Sequence, residues 1–371
     1  MQRVPARLGD GLAAVETPAL VVDLDAFEHN LDLMANAVRG SGLALRPHAK
    51  SHKCPDIAKA QVARGAVGIC CQKVDEAAVF VAAGIANVLV TNEVVTPAKI
   101  ARLAALAQSA TVGVLVDNAQ VIPDLSAAAV MAGGTLHAYV EIDVGAHRCG
   151  VAPGAAAVPL ALAIAGAPWL HFRGLHAYHG AAQHLRSPAL RRAAIEAASA
   201  LAAETRALIE AAGVPCPVVT GAGTGTWQLE RDSQVYTELQ PGSYIFMDAD
   251  YGRNALARDE HAFEHSLYVL ATVMSTPAPE RAIIDAGLKS LAFDSGPPLV
   301  HVARGLEYAG ASDEHGVLAV DPALATPALG DRVWLIPGHC DPTVNLYDWI
   351  VGMRGERVEC LWPVAARGAL G

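Results

Sequence analysis

Eight apolar runs of strand length, separated by helical stretches, fill residues 19–220 of this chain. The runs are 19–24, 43–47, 67–71, 87–91, 111–116, 136–143, 170–178 and 217–220. Between them, 25–39, 55–64, 73–84, 97–108, 118–132, 154–167 and 187–213 carry apolar residues at helical spacing, as at Phe27, Leu31, Met34 and Val38. The first run is almost continuously apolar, which suits a strand covered on both faces. Strand and helix in strict alternation predict an α/β protein, a (β/α)8 TIM-type barrel over about 235 residues. The rival is an open doubly wound sheet. It would place a Gly-x-Gly-x-x-Gly turn after the first strand, and none is there.

The alternation stops near residue 255. Beyond it come short apolar runs at 267–273, 281–285, 317–320 and 332–336, separated by Gly, Pro, Ser and Asp turns. They predict a second, mainly antiparallel β-domain. The expected division is a barrel over 17–255 and a β-domain over 256–371 that also takes residues 1–16.

Composition narrows the function classes. Hydrophobic residues make up 53% of the chain and charged ones 17%, as in a compact globular protein. A net charge of −10 argues against nucleic acid as a partner. The most apolar stretch, 158–170, is interrupted by Pro159 and Pro168, too short for a membrane span. The N-terminus lacks the apolar core of a secretory signal. Seven cysteines without Cys-x-x-Cys spacing argue against a disulfide framework or a zinc knuckle, so a reducing cytoplasm is expected.

Barrel chemistry gathers where strands end. The residues closing the runs include Lys50, Gln72, Asn92, Asp143, His147, Arg148, Tyr178, His179 and Thr220. The densest stretch is 46–53 (RPHAKSHK), which holds two of the chain's six lysines. A lysine whose charge is disfavoured by cationic neighbours and partial burial is a candidate Schiff-base nucleophile. The plain alternative is a solvated basic turn, and the stretch alone does not separate Lys50 from Lys53.

Other segments carry chemistry too. Residues 220–226 (TGAGTGT) follow the eighth run; glycine backbone and threonine hydroxyls can close on a phosphate there. A second glycine turn, 240–244 (QPGSY), could complete that anion cup. Arg148 is either a surface cation paired with Asp143 or a fixed charge beside a phenolate. His176, His179 and His184 crowd another strand end, favouring an acid or base role. In the second domain, 336–343 contains His339 and Asp341. If extended, the chain would turn both the same way and Cys340 the other, offering imidazole and carboxylate to a divalent ion.

Read together, these segments resemble the D-threonine aldolase family of fold-type III pyridoxal phosphate enzymes, relatives of alanine racemase and D-serine dehydratase. The matching runs are 46–55 (RPHAKSHKCP), 68–77 (GICCQKVDEA), 141–151 (EIDVGAHRCGV), 174–186 (GLHAYHGAAQHLR) and 220–226 (TGAGTGT). They continue with 240–251 (QPGSYIFMDADY), 286–295 (AGLKSLAFDS) and 337–348 (PGHCDPTVNLYD). The resemblance implies a pyridoxal-phosphate-binding barrel with a β-domain, acting as a homodimer on a small amino-acid substrate. Lys50 would hold the cofactor covalently, Arg148 would sit against its phenolic oxygen, and Tyr178 near its pyridine ring. Thr220, Gly223, Thr224, Gly242, Ser243 and Tyr244 would hold its phosphate. His339 and Asp341 would bind the metal, with Mn²⁺ or Mg²⁺ favoured and Zn²⁺ possible. His184 would be the base near the substrate hydroxyl.

The resembling dehydratases carry His-x-Cys where this chain has His339 and Asp341. A thiolate favours zinc and helps expel hydroxide; a carboxylate suits a harder ion. The expected reaction is therefore aldol cleavage of D-threonine and related D-β-hydroxy-α-amino acids to glycine and an aldehyde. The alternatives are a D-serine or D-threo-3-hydroxyaspartate dehydratase, a racemase, a cofactor carrier without catalysis, and a cofactor-free metal hydrolase. His147 departs from the smaller residue expected beside the arginine and would narrow or tune the site.

Overall fold

The computed structural model describes residues 3–258 and 260–371. Met1 and Gln2, part of the lead-in assigned to the β-domain, lie outside the described residues. Nine strands form in the first two-thirds of the chain: β1 (Ala19–Asp23), β2 (Ala44–Leu45), β3 (Ile69–Cys71), β4 (Asn87–Glu93), β5 (Thr111–Val116), β6 (Leu136–Glu141), β7 (Leu170–His176), β8 (Val218–Gly221) and β9 (Glu238–Leu239). The helices among them are α1 (Leu24–Val38), α2 (Pro55–Ala63), α3 (Val74–Ala82), α4 (Pro97–Leu106), α5 (Ile122–Ala132), α6 (Val158–Gly166), α7 (Pro188–Ala211) and α8 (Trp227–Asp232).

Eight of these strands form one parallel sheet in the order β2-β9-β8-β7-β6-β5-β4-β3. Its two ends meet. Val67 donates to the Leu45 carbonyl at 2.9 Å and Cys70 to that of Pro47 at 2.8 Å, closing the barrel. A closed barrel leaves no unpaired edge and gathers the strand C-termini around one mouth.

The strand count was right and one member was not. β1, counted as the first barrel strand, lies in the other sheet, between β10 (Leu267–Ala278) and β16 (Trp349–Arg354). It is covered on both faces, as its apolar run requires. Leu20 and Val22 face the main core, while Ala19 and Val21 pack with Leu270, Val351 and Met353. The place it left is filled by β9, two residues long and missed because Glu238 and Gln240 break the apolar signal. Glu238 is nonetheless buried, its charge met by Arg46 at 3.0 Å inside the barrel.

The second sheet holds β1 and β10–β17, running β13-β14-β11-β10-β1-β16-β17, with β15 pairing β10 and β12. The remaining members are β11 (Arg281–Ile284), β12 (Leu299–Val300), β13 (Leu306–Ala311), β14 (Gly316–Val320), β15 (Arg332–Ile336) and β17 (Arg357–Pro363). Apart from the parallel β1–β16 pair its pairings are antiparallel. The lead-in docks on this sheet, Gly9 donating to Val358 and Leu12 to Glu356.

The sheets are tied together where the site lies. After β15 the chain runs into α10 (Cys340–Val344), which packs on the 3-10 turn Ala49–Ser51 at the barrel mouth. α9 (Ala249–Gly252) meets the same loop: Ala249 donates to Pro337, Asp250 to Gly338, and the Asp248 carboxylate accepts from the Cys340 amide at 2.9 Å.

Candidate active site

A cleft of about 570 Å³ opens at the barrel mouth, lined by Lys50, Ser51, Arg148, Tyr178, Gly223, Thr224, Gly242, Ser243 and Tyr251 among others. A larger hollow of about 820 Å³ behind Thr224 and Tyr251 holds no lysine.

Three contacts fix the loop that carries Lys50. The Lys50 amide donates to His48 Nδ1 at 3.3 Å, and His48 Nε2 lies 2.9 Å from Thr91 Oγ1. Gln72 braces the same histidine at 3.1 Å. Burial, and then the Lys50 charge, push His48 well below its ordinary value, so it serves as a neutral prop. The two lysines part here. Lys53, in left-handed backbone at φ +50°, turns into the protein and meets the fully buried Glu76 at 3.4 Å. Lys50 enters the cleft and pairs with Asp341. Its charge is not disfavoured as expected. Burial lowers its pKa, but Asp341 and then Tyr178 outweigh burial and hold it above the ordinary lysine value.

The glycine turns crowd one corner of the cleft. A Cβ on Gly223 would lie 2.5 Å from Gln183 Oε1, an atom already accepting from the Gly225 amide at 3.0 Å. One on Gly242 would meet Ser51 Oγ at 2.7 Å and the His48 carbonyl at 2.8 Å. Between these turns the buried Thr224 hydroxyl has no hydrogen-bond partner. A buried hydroxyl without a partner is costly unless something fills the space beside it. An orphaned donor, two glycines and Ser243 fit a phosphate with its carbon tail directed at Lys50; the cradle suits pyridoxal phosphate. Thr220 and Tyr244 turn their side chains elsewhere. The Thr220 hydroxyl donates to Glu238 at 2.8 Å and accepts from Gln240 at 2.6 Å, while Tyr244 accepts from Gln61 at 3.2 Å in the core.

Arg148 stacks over Tyr178, 5.7 Å from the ring centre, and pairs with Glu141 at 3.7 Å, not with Asp143. Asp143 belongs to His147, at 3.1 Å. That histidine is exposed and outside the cleft lining. Glu141 also faces His176 Nδ1 at 3.5 Å, and His176 Nε2 donates to Gln240 at 3.2 Å. Burial works to raise the Glu141 pKa, but His176, Glu93 and Arg148 bring it down to about 2. Its neighbour Glu93 moves the other way, pushed up to about 8 by burial and by Glu141.

The metal motif is built differently from the extended run expected of it. His339 is extended, but α10 starts at the next residue, so Asp341 meets the cleft residues Lys50 and Ser243 from a helical first turn, while neither His339 nor Asp341 is part of the cleft lining. Its carboxylate takes Lys50 on Oδ2 and Ser243 on Oδ1 at 3.2 Å. Burial opposes its charge, yet Lys50 and His339 hold it well below the usual carboxylate range. Cys340 is fully buried, and burial pushes its thiol far up; it donates to Asp341 at 3.3 Å. A buried protonated thiol is a poor metal ligand. His339 Nδ1 lies 2.6 Å from Asp294, which leaves Nε2 as its free nitrogen. An imidazole and a carboxylate are donor types that a divalent ion takes. Among the described residues, the three-ligand grouping close enough for a metal lies elsewhere, at Glu93, Asp117 and Cys149.

His184 stands at the rim, outside the cleft lining, with its ring 5.3 Å from that of Tyr251. Asp250 holds its Nδ1 at 2.5 Å and is itself gripped by Arg186 and by Arg253 at 2.8 Å. Against burial, Arg253, Arg186 and His184 keep Asp250 ionised, at about 2. Sequence reasoning missed Thr91, Gln240, Tyr251, Asp250 and Asp294 as site residues. Thr91 directly precedes Asn92 at a strand end, a signal that could have found it; Asp250 and Tyr251 lie in the four-residue helix α9, and Gln240 and Asp294 in irregular chain, all too short to leave a periodicity.

Residues 22–250 match the family described as "Alanine racemase, N-terminal domain", and residues 266–353 match a serine dehydratase domain. The chain is 50% identical over 364 residues to D-threonine aldolase of an Arthrobacter species, covering 98% of this chain and 96% of that one. It is 47% identical over 371 residues to 3-hydroxy-D-aspartate aldolase of Paracoccus denitrificans, covering 98% and 95%. A D-threo-3-hydroxyaspartate dehydratase from a Delftia species is 30% identical over 361 residues, covering 90% and 93%. The crystal structure of D-threonine aldolase from Filomicrobium marinum superposes with a TM-score of 0.97 at 50% identity, covering 99% of this chain and all of that one. At 50% identity over nearly its whole length and with the same fold, the chain belongs to the D-threonine aldolase family of alanine-racemase-like enzymes.

Proposed function

We propose that this chain is a carbon–carbon lyase that cleaves D-threonine and related D-β-hydroxy-α-amino acids to glycine and an aldehyde, using pyridoxal phosphate and a divalent metal. The observation that carries the reading is Asp341: a carboxylate, not a thiolate, pairs with the cleft lysine Lys50, while Cys340 is sealed in the core. The aldolase relatives at 47–50% identity support it over the dehydratase at 30%.

In this reading the Lys50 amine anchors the cofactor, Thr224, Ser243 and the backbone at Gly223 and Gly242 hold its phosphate, and Arg148 and Tyr178 border its ring. Bound there, pyridoxal phosphate supplies the electron sink for the Cα carbanion left when the Cα–Cβ bond breaks. His339 and Asp341 hold the metal, Mn²⁺ or Mg²⁺ in preference to Zn²⁺. A Lewis acid at that point lowers the pKa of the substrate's β-hydroxyl. His184, with Nδ1 committed to Asp250, has Nε2 left to take the hydroxyl proton. Tyr251, between that histidine and the cleft, keeps water from the reacting carbons. The chain is further proposed to act as a homodimer in the cytoplasm; among the described residues no helix is long and apolar enough to cross a membrane.

The test is product analysis of the purified, metal-replete holoenzyme on D-threonine. Acetaldehyde and glycine in equal amounts are expected. A keto acid with ammonia would give the reaction to the dehydratase alternative.

A further inference from the structure

We propose that filling the cofactor site builds the metal site, so that pyridoxal phosphate and the divalent ion bind cooperatively, with Lys50 as the residue that couples them. The inference rests on the assignment of Lys50 and Ser243 to the cofactor and of His339 and Asp341 to the metal.

Asp341 is already satisfied by donors of the protein itself. Lys50 Nζ pairs with Oδ2, and Ser243 Oγ at 3.2 Å and Cys340 Sγ at 3.3 Å both donate to Oδ1. Its side chain is only 11% exposed, so this charge depends on those partners and not on water. Two of the three donors, Lys50 and Ser243, are the groups the cofactor claims, one for its aldehyde and one for its phosphate. A divalent ion arriving first must evict an ammonium from the oxygen it needs. His339 is also engaged at that stage, its Nδ1 against Asp294, but its Nε2 needs no such displacement.

Cofactor loading changes that competition. The Lys50 ammonium condenses with the aldehyde to form one C=N bond and release one water. Two of its three hydrogens leave in that water and the third stays on nitrogen, so atoms and charge balance. A nitrogen that offered three donors on a free stem now offers one and is tethered to a ring. Asp341 loses two of the three hydrogens that Lys50 could offer it, and a buried carboxylate beside a free imidazole nitrogen is what a hard divalent ion binds. By linkage, a metal that takes Asp341 releases Lys50 for the cofactor by the same factor.

Calorimetric titration of Mn²⁺ into the full chain, stripped of cofactor and then reloaded with the excess removed, tests this. We expect Mn²⁺ affinity to rise about 5- to 150-fold on loading, the range usual for two-site coupling. Cofactor-free Lys50→Ala should bind Mn²⁺ about as tightly as loaded wild type, and Lys50→Gln, which keeps a neutral partner for the carboxylate, guards against a folding defect. Pyridoxal phosphate binding, followed by its absorbance, should tighten by the same factor when Mn²⁺ is present. Equal Mn²⁺ affinity in stripped and loaded wild type, with Asp341→Asn abolishing both, would overturn the coupling while leaving the metal assignment intact. Mn²⁺ binding that survives Asp341→Asn would overturn the metal assignment and the coupling with it.

Discussion

The two halves of the cleft are held by opposite means. On the barrel side, Lys50, Thr224 and Arg148 sit on strand-end loops braced from beneath by buried polar contacts such as His48–Thr91 and His176–Gln240. On the β-domain side, His339 and Asp341 ride a five-residue helix whose polar partners, Asp294, Lys50 and Ser243, come from three distant segments. The barrel half is braced by buried hydrogen bonds, which suits a cofactor held in one pose. The β-domain half is assembled from side-chain partners that a ligand can replace. In the proposed reading, cofactor binding belongs to the barrel and the choice of reaction to the loop that the second domain delivers.

The largest effect expected from breaking this division falls within the barrel half, between its two lysines. Lys50→Ala should lower kcat by at least ~10³-fold, the cost of losing a nucleophile that acts with its surroundings as a unit. Lys53→Met should leave the cofactor's absorbance in place and instead cost about 3–5 kcal/mol of stability, since Glu76 would be left buried without its cation. Denaturant melts and single-turnover kinetics on both variants separate the roles. A Lys53 variant that folds normally but loses the cofactor would reverse them.

On the β-domain side, Asp341→Asn should lower kcat/KM by about 10²–10³-fold, the several kcal/mol that a Lewis acid contributes. The residual rate should no longer respond to a chelator. Asp341→Cys sharpens the comparison, because it recreates the His-x-Cys pattern: a measurable share of ammonia among its products would show that this loop selects the reaction. Next in size is Asp250→Asn. It removes the carboxylate on His184 Nδ1 and should reduce kcat about 10²-fold with KM little changed. An unchanged kcat would remove His184 from the chemistry.

The same division decides how much could be read from sequence. Strand–helix alternation exposed the barrel, and strand ends pointed to Lys50, Arg148 and Tyr178, because parallel strands leave a periodic apolar signal. Two errors came from that signal. β1 is as apolar as a barrel strand because the second sheet buries it equally well, and β9 is nearly silent because its Glu238 is neutralised by a partner 192 residues earlier, Arg46. The β-domain half left little to periodicity. His339 and Asp341 stand out as a motif, but the backbone they form is a helix start and not the extended run expected, and Asp294 has no pattern at all. Partner choice across long sequence separations is decided by packing, which a single chain's pattern does not encode.

The smallest effect tests the bracing beneath Arg148. Glu93, pushed up to about 8, and Glu141, brought down to about 2, share one proton at neutral pH. A carboxyl whose folded value is raised contributes stability that is complete below its unfolded value and is lost as pH rises through the folded one. Glu93 therefore favours the folded state below pH 4.5 and loses that contribution progressively up to about 8. Glu141 has the opposite sign, its contribution being lost only as pH falls from 4.5 toward about 2. Glu93→Gln keeps a neutral donor toward Glu141 and removes the titration. The wild-type melting temperature should decline slightly between pH 4.5 and about 8, and the variant's decline should be shallower over the same window, with other groups contributing equally to both. Partial exposure of Glu93 keeps the difference small. Parallel slopes in the two proteins would mean that Glu93 is ionised at neutral pH, and that Arg148 is balanced by two carboxylates instead of one.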